Sequence, residues 1–292
     1  MVDDYIYLGV KFNYNNTFIK EINNRLVLGR KAMFSLLSRC EVLELPLDIT
    51  ISLFDKLVVP IITYGSEIWG FSNLEQIELF HRKFLKQVLR VSKYTAKAMT
   101  YGELGRTDMK NLIHRRMLNY WQRINAAEPR KFSVILYKFH KRQFDLNEFK
   151  SKWCSKIHRI LCEIGLPNLW YHNGYNLYQF KTLTKMRLDD TFKQNWYTEI
   201  DNNRLCINYR IFKREFSFEK YLSSLDPNLR IYFTKLRLGS HLLPISNARY
   251  TEITDRNVCP LCLLDIGDEY QYIMSCPAFD HIRFKYIKRH FY

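Results

Sequence analysis

The sequence predicts a mainly α-helical protein with a short β-strand or hairpin at its N-terminal end and a small Cys-rich segment at its C-terminal end. Three observations predict it. Apolar residues recur at three- and four-residue steps through most of the chain, the period of one buried helix face. Residues 5–12, YIYLGVKF, are rich in aromatic and β-branched residues and lead into the turn-like NYNN. Cys259-Pro-Leu-Cys262 is followed by a third cysteine, Cys276.

In chain order, YIYLGVKF reads as a strand or half of a hairpin. From Thr17 the pattern turns helical, with Phe18, Ile22, Leu26, Met33 and Leu37 on one face. A second helix begins near Pro46, carries Leu53, Phe54, Leu57 and Val58 inward, and is kinked or ended by Pro60, which lacks an N–H. YGSEIWG is then a turn with a packed Trp69. Asn73 caps a third helix whose apolar positions are Ile77, Phe80, Phe84 and Val88. YGELGR, residues 101–106, is a loop with a turn role only, since it has neither the Lys nor the strand-to-helix setting of a phosphate-cradling loop. Further amphipathic helices follow: Met109 to Ile124 with Trp121 inside, Phe132 to Phe139, and a run through Phe149, Trp153, Ile157, Ile160 and Ile164 that Gly165 and Pro167 stop. Residues 166–180 form the one plausible linker.

Composition narrows the function classes. With 292 residues, 47% of them hydrophobic, and only 10 Gly and 8 Pro, the chain is globular rather than disordered or fibrous. Forty-five Lys and Arg against 29 Asp and Glu leave a charge of +16, spread from Lys11 to Arg289, which a polyanionic partner would relieve. Seven cysteines form an odd set and the N-terminus has no secretory pattern, so an intracellular, reducing compartment, nucleus or cytoplasm, is expected. LVVPIITYG, the best apolar run, is far short of a bilayer span, so no membrane role is expected.

Candidate binding residues lie on the third helix. At roughly 100° per residue, Arg82, Lys86, Arg90 and Lys93 fall within roughly 80° of one another, opposite the apolar face, and they read as a cationic stripe without acidic i,i+4 partners. Such a stripe suits phosphate. Catalytic candidates do not emerge. Asp3-Asp4 and Asp189-Asp190 are neighbours in sequence, whereas Mg²⁺ chemistry needs carboxylates converging from different elements, and Asp189-Asp190 read as charges at a helix N-terminus. His81, His114, His140, His158, His172 and His241 are scattered among apolar or basic neighbours. The strongest local signal is the cysteine set: a Cys-x2-Cys turn presents two thiolates to one metal, and Cys276 can close on it. Zinc is the expected cofactor, with three ligands evident. Gln271 is a poor fourth ligand, and His281, five residues past Cys276, is the substitute; otherwise these are three reduced cysteines in a small apolar subdomain.

Taken in order, YLGVKF, LFDKLVVPIITYGSEIWG (53–70), IELFHRKFLKQVLRV (77–91), YGELGR, RRMLNYW (115–121) and CPLC…DEYQYIMSCP (259–277) resemble the C-terminal half of non-LTR, LINE-type retrotransposon reverse transcriptases. The resemblance implies four regions: 1–14, the primer-gripping hairpin that ends the palm, with Tyr7 and Gly9 near the primer; 15–127, a helical thumb; 128–240, a helical connection; and 241–292, a zinc-knuckle-like segment. It implies RNA and DNA as partners, as template, primer or target. It also implies that the catalytic aspartates belong upstream, that Met1 is an internal start, and that the chain alone is no polymerase. The family carries His where this chain has Gln271. The competing expectation is a decayed or repurposed product that acts as a protein-interaction module or has no function.

Overall fold

The computed structural model describes residues 4–15, 17–148, 151–171, 174–245 and 257–287. Asp3, Phe149 and His172 lie outside the described residues. The protein is mainly helical, with an N-terminal antiparallel hairpin and a cysteine cluster near the C-terminal end, as the sequence predicts. Its chain forms two compact units, Met1–Leu85 with Gly105–Tyr197, and Lys86–Leu104 with Thr198–Tyr292.

In the first unit, β1 (Asp4–Tyr7) and β2 (Val10–Asn13) pair antiparallel with Tyr7 opposite Val10. Leu8 and Gly9 both take positive φ, 47° and 76°, the requirement of a two-residue turn whose twist matches the strands. Asp4 is occupied by Asn13, Lys20 and Lys11. Those contacts, Asn13 foremost, hold its carboxyl down at about 2.

α1 (Ile19–Val42) buries Ile22, Leu26, Gly29, Met33, Leu36 and Cys40, steps of three and four along one face. Gly29 is required by a close approach: a Cβ there would stand 2.2 Å from Ile62 Cγ2. α2 (Leu47–Leu57) ends as expected before Pro60, and the chain restarts as α3 (Val59–Ile62), where proline in the first turn loses no hydrogen bond. YGSEIWG is more than a turn, since Ser66–Trp69 closes into a short helix, α4, over a left-handed Gly65. Asn73 Oδ1 accepts from Glu75 N at 2.9 Å and starts α5 (Glu75–Val88). On α5, Phe84 stacks on Phe54 with ring centres 3.6 Å apart, and His81 lies over the same ring.

α7 (Met109–Asn125), α8 (Phe132–Asp145) and α9 (Lys152–Glu163) complete the unit's core with the first part of α10 (Leu177–Asn202). Tryptophans dominate here because each buries a large surface while its N–H finds an acceptor. Trp121 donates to the Tyr137 hydroxyl at 2.7 Å, Trp170 to Asp145 at 2.8 Å, and Trp153 to the Glu67 carbonyl at 2.8 Å. Residues 166–180 therefore differ from the linker expected: Trp170 and Phe180 are buried against Trp121. Asp189 and Asp190 also differ. They sit in the middle of α10 rather than at a helix N-terminus, because the helical pattern runs unbroken through them.

Two core histidines give this unit a pH dependence. Burial takes His114 down to about 2, with Lys156 and Lys110 adding to the effect, and burial takes His81 well below its ordinary range, with Arg106 and Arg82 adding to it. Both pKa values lie below the unfolded ~6.5, so the unfolded chain takes up these protons first as pH falls. Their contribution is therefore fully present above about pH 6.5 and is lost below it, by up to about 1.4 kcal/mol per pH unit for each histidine. Urea unfolding at pH 7.5 and 5.0 should show the loss, and His114→Asn should remove roughly half of it; an unchanged slope in that variant would contradict the assignment.

The second unit is organised by α6 (Lys97–Glu103). YGELGR is thus half helix rather than a loop, and Glu103 is its centre. This carboxylate is fully buried and accepts from Tyr221 Oη at 2.6 Å, Arg237 Nε at 2.7 Å and Tyr209 Oη at 3.0 Å. Its donors come from α11 (Tyr209–Phe212), α12 (Tyr221–Ser224) and α13 (Pro227–Arg237). Backbone pairing supports the same junction, since Leu104 bridges Phe218 and Glu219 N donates to the Glu103 carbonyl at 3.1 Å. Burial, then Glu103, raises the pKa of both tyrosines, so their hydroxyls stay donors. Removing one partner of a buried ion pair strands the other. Glu103→Ala should destabilise the protein by about 3–5 kcal/mol in urea unfolding, and Glu103→Ala with Arg237→Ala should cost clearly less than the sum of the two. Additive losses would mean that the pair does not hold this unit together.

Candidate metal centre and nucleic-acid interface

Local backbone bonds bring the three cysteines together. Cys259 N donates to the Asp265 carbonyl and Leu263 N to the Cys259 carbonyl, each at 2.9 Å, closing a tight loop that turns Cys262 back toward Cys259. Cys276 ends a wide helical turn over Gln271–Ser275, where its N–H reaches the Gln271 carbonyl at 2.6 Å. The three sulfurs lie within 4.8 Å of one another, and Cys259 and Cys276 are fully buried. Cys259 Sγ and Cys276 Sγ are 3.9 Å apart. That is far beyond a disulfide bond. It matches the edge of a tetrahedral zinc site, about 3.8 Å for Zn–S near 2.3 Å.

The hydrogen bonds around Cys259 favour its thiolate. Burial pushes the Cys259 thiol up, but the backbone N–H groups of Cys262 and Leu261, with the Cys262 and Tyr272 side chains, more than offset it and bring it to about 7. Cys276 stays raised by burial. Arg283 holds the far side of the loop, donating to the Cys276 carbonyl and the Ile273 carbonyl at 2.9 Å each. Neither Tyr272 nor Arg283 carries a metal-ligand signature in the sequence. Only folding shows their roles.

Gln271, not His281, lies beside the sulfurs. Gln271 is 3% exposed, its Nε2 lies 3.0 Å from Cys262 Sγ, and its side chain also engages Cys276. Its Oε1 is buried without a hydrogen-bond partner among the described residues. His281 is exposed on the C-terminal helix, Asp280–Tyr286, and its ring does not join the three sulfurs. Three thiols within 4.8 Å of one another fit a metal ion, and zinc held there would tie the Cys259 loop to the turn that precedes the helix Asp280–Tyr286, a structural role.

The phosphate candidates are placed differently from the sequence expectation. Tyr7 is exposed and stacks beside Tyr5 on the hairpin, and the hairpin tip is anchored: the Leu8 carbonyl accepts from Tyr64 Oη at 2.8 Å and the Gly9 carbonyl from Arg25. Arg25 is itself paired with the buried Glu21, whose other oxygen takes Lys11 N at 2.9 Å. Arg82 is not without an acidic partner, since Glu75, two turns earlier, binds it at 2.6 Å. Glu78, four residues before Arg82, is turned inward to cap the Lys110 N–H. Nor does the helical stripe run its full expected length. α5 ends at Val88, where Val91 N bonds the Lys86 carbonyl and Arg90 N the Gln87 carbonyl, with Arg90 left-handed at φ 52°. Lys93 therefore lies beyond the helix, its carbonyl 2.6 Å from Lys86 Nζ. The sequence has no glycine at this C-terminus, so nothing in it announced the stop.

A hairpin, a helical body and a three-thiol cluster define a mainly helical protein with a candidate metal centre. No family model and no solved structure matches the chain. Among curated proteins, an uncharacterized transposon-derived protein of Caenorhabditis elegans is 30% identical over 93 residues, which is 31% of this chain and 33% of that protein. The match thus spans about a third of the relative's length, and it indicates a transposon-related origin.

Zinc should be retained by the parent chain in competition with a chelator and lost on Cys276→Ser. Gln271→His should tighten binding on the order of tenfold or more, since even outer-shell partners of metal ligands are worth roughly 10–100-fold, while His281→Ala should change nothing. A parent chain that holds no metal, or one that His281→Ala empties, would overturn this arrangement.

Proposed function

We propose that this chain is a nucleic-acid-binding module of retrotransposon origin, the thumb and C-terminal segment of a LINE-type reverse transcriptase, without polymerase activity of its own. The observation that carries the reading is the motif order from YLGV to the cysteine cluster, found in a chain that is similar to a transposon-derived protein. The geometry agrees with it. A hairpin tip anchored by Arg25 and Tyr64 is a rigid support for a strand end, and the +16 charge supplies the long-range attraction to phosphate. Tyr7 and Gly9 face the primer in this reading, and Arg82, Lys86, Arg90 and Lys93 contact phosphates of RNA or DNA. Zinc at Cys259, Cys262 and Cys276 is the cofactor. The Arg82–Glu75 pair is a surface pair worth little, which phosphate can displace.

A second reading, a protein-interaction module, rests on α8. Phe132, Ile135, Leu136 and Phe139 recur at helical spacing on that helix and are all exposed.

Binding to single-stranded RNA and to duplex DNA should be nearly independent of sequence and strongly salt-dependent, with a log–log slope of roughly −0.7 to −0.9 per phosphate contact. Replacing Arg82, Lys86 and Arg90 together by Ala should flatten that slope by about two units or more. The same preparation should extend no primed template with any divalent metal. Absence of binding to either nucleic acid would favour the interaction reading, an unchanged slope would remove the stripe from the interface, and template-dependent incorporation would refute the module without polymerase.

A further inference from the structure

A cleft of about 510 Å³ opens in the first unit between α2, α3, α5, α7, α10 and the 105–108 loop. Neither the stripe nor the cysteine cluster lies in it. Its polar wall holds hydrogen-bond donors that the protein leaves unused. Arg106 spends both terminal nitrogens on Asp55, at 2.7 Å for Nη1, yet its Nε is buried with no partner. Asn111 is 7% exposed and uses its backbone N–H on Asp108, while its side-chain amide makes no hydrogen bond among the described residues. Arg115 and Lys185 also line the cleft and form no ion pair or hydrogen bond among the described residues. A buried N–H without an acceptor is rare in folded proteins, so the Arg106 Nε calls for an acceptor, and the half-buried Arg115, the exposed Lys185 and the Asn111 amide add donors around the same space.

The charges point the same way. Asp55 is matched by Arg106, and Asp108 is committed to the N-terminus of α7. Arg115, Arg116 and Lys185 then face Asp189 as the one further carboxylate in the lining. His81 lines the cleft too and is kept neutral by burial beside Arg106 and Arg82. An anion is favoured, and the volume exceeds what a bare phosphate fills. Val59, Pro60, Met109 and Leu112 supply an apolar wall.

We propose that this cleft is a nucleotide-binding site, in which Arg115, Lys185, Asn111 and the Arg106 Nε take the phosphate and the apolar wall takes the base or sugar. The nucleotide is either free or the phosphorylated end of a strand. This site is independent of the reading above, because the stripe variant leaves every residue of the cleft in place.

Calorimetric titration of the full chain with AMP, adenosine, inorganic phosphate, and one oligonucleotide with and without a 5′ phosphate tests it. AMP should bind at least tenfold more tightly than adenosine or inorganic phosphate. Arg115→Gln and Lys185→Glu should each weaken AMP at least tenfold, whereas the Arg82, Lys86 and Arg90 triple variant should bind AMP as the parent does. Lys185 is exposed, so its variant reports even if Arg115→Gln does not fold. A tenfold preference for the 5′-phosphorylated oligonucleotide over its 5′-hydroxyl form assigns the site to a strand end; equal affinity of the two, with AMP bound, assigns it to a free nucleotide. No AMP binding at millimolar concentration, or binding that neither cleft variant weakens, overturns the proposal.

Discussion

One buried carboxylate governs the second unit. Glu103 has no access to water, and a charge in that position is tolerable only with a full set of donors around it. Arg237 supplies the opposite charge and the Tyr209 and Tyr221 hydroxyls fill the remaining sites. Burial alone would lower the Arg237 pKa, but Glu103 more than offsets this and leaves it raised. The pairing extends outward: Glu219 bonds both Arg237 at 3.4 Å and Lys213 at 2.5 Å, and the Arg237 guanidinium lies over the Tyr221 ring. Satisfying Glu103 thereby fixes α11, α12 and α13 around α6. It also explains why a segment as short as Lys86–Leu104 packs with chain more than a hundred residues away.

The cysteine cluster meets a similar demand with different chemistry. Hydrogen bonds there are few, and three sulfurs, two of them buried, lie within 4.8 Å of one another, with Cys259 and Cys276 at the edge length of a tetrahedral site. Thiolates crowded at this distance repel one another unless a cation lies between them. Gln271 is the best substitute that the chain itself offers, an amide N–H directed at Cys262. Its unpartnered oxygen shows that the substitute is imperfect. The loop and the turn that present these residues are shaped by their own backbone bonds and by Arg283, so the ligand geometry is prepared before any metal arrives.

Charge is distributed in the same economical manner. Cations that a sequence reading treats as one stripe divide into different local roles: Arg82 in a surface ion pair, Lys86 on a backbone carbonyl, Arg90 at a left-handed helix end. Arg25 serves structure, holding the hairpin tip against α1. Two further cations, Arg115 and Lys185, line the cleft of the first unit. A basic composition therefore says that a polyanion is favoured without saying where it binds.

Periodicity and punctuation made much of the fold legible in the sequence. Ile22, Leu26 and Met33 mark the buried face of α1, Asn73 caps α5, and Gly165 at φ 72° stops α9, because each depends on interactions within a few residues. The Cys-x2-Cys spacing likewise reported a thiol cluster, since a short loop can bring two sulfurs together by itself. Tertiary structure alone decided the rest. It made Glu103 a hub, buried Trp170 in a stretch that reads as a linker, placed Asp189 on a cleft wall, and set Gln271 rather than His281 beside the sulfurs. The first three turn on partners tens to more than a hundred residues away, and the Gln271 contact turns on how the Cys259 loop and the following helical turn fold onto each other. Local spacing carries no record of either.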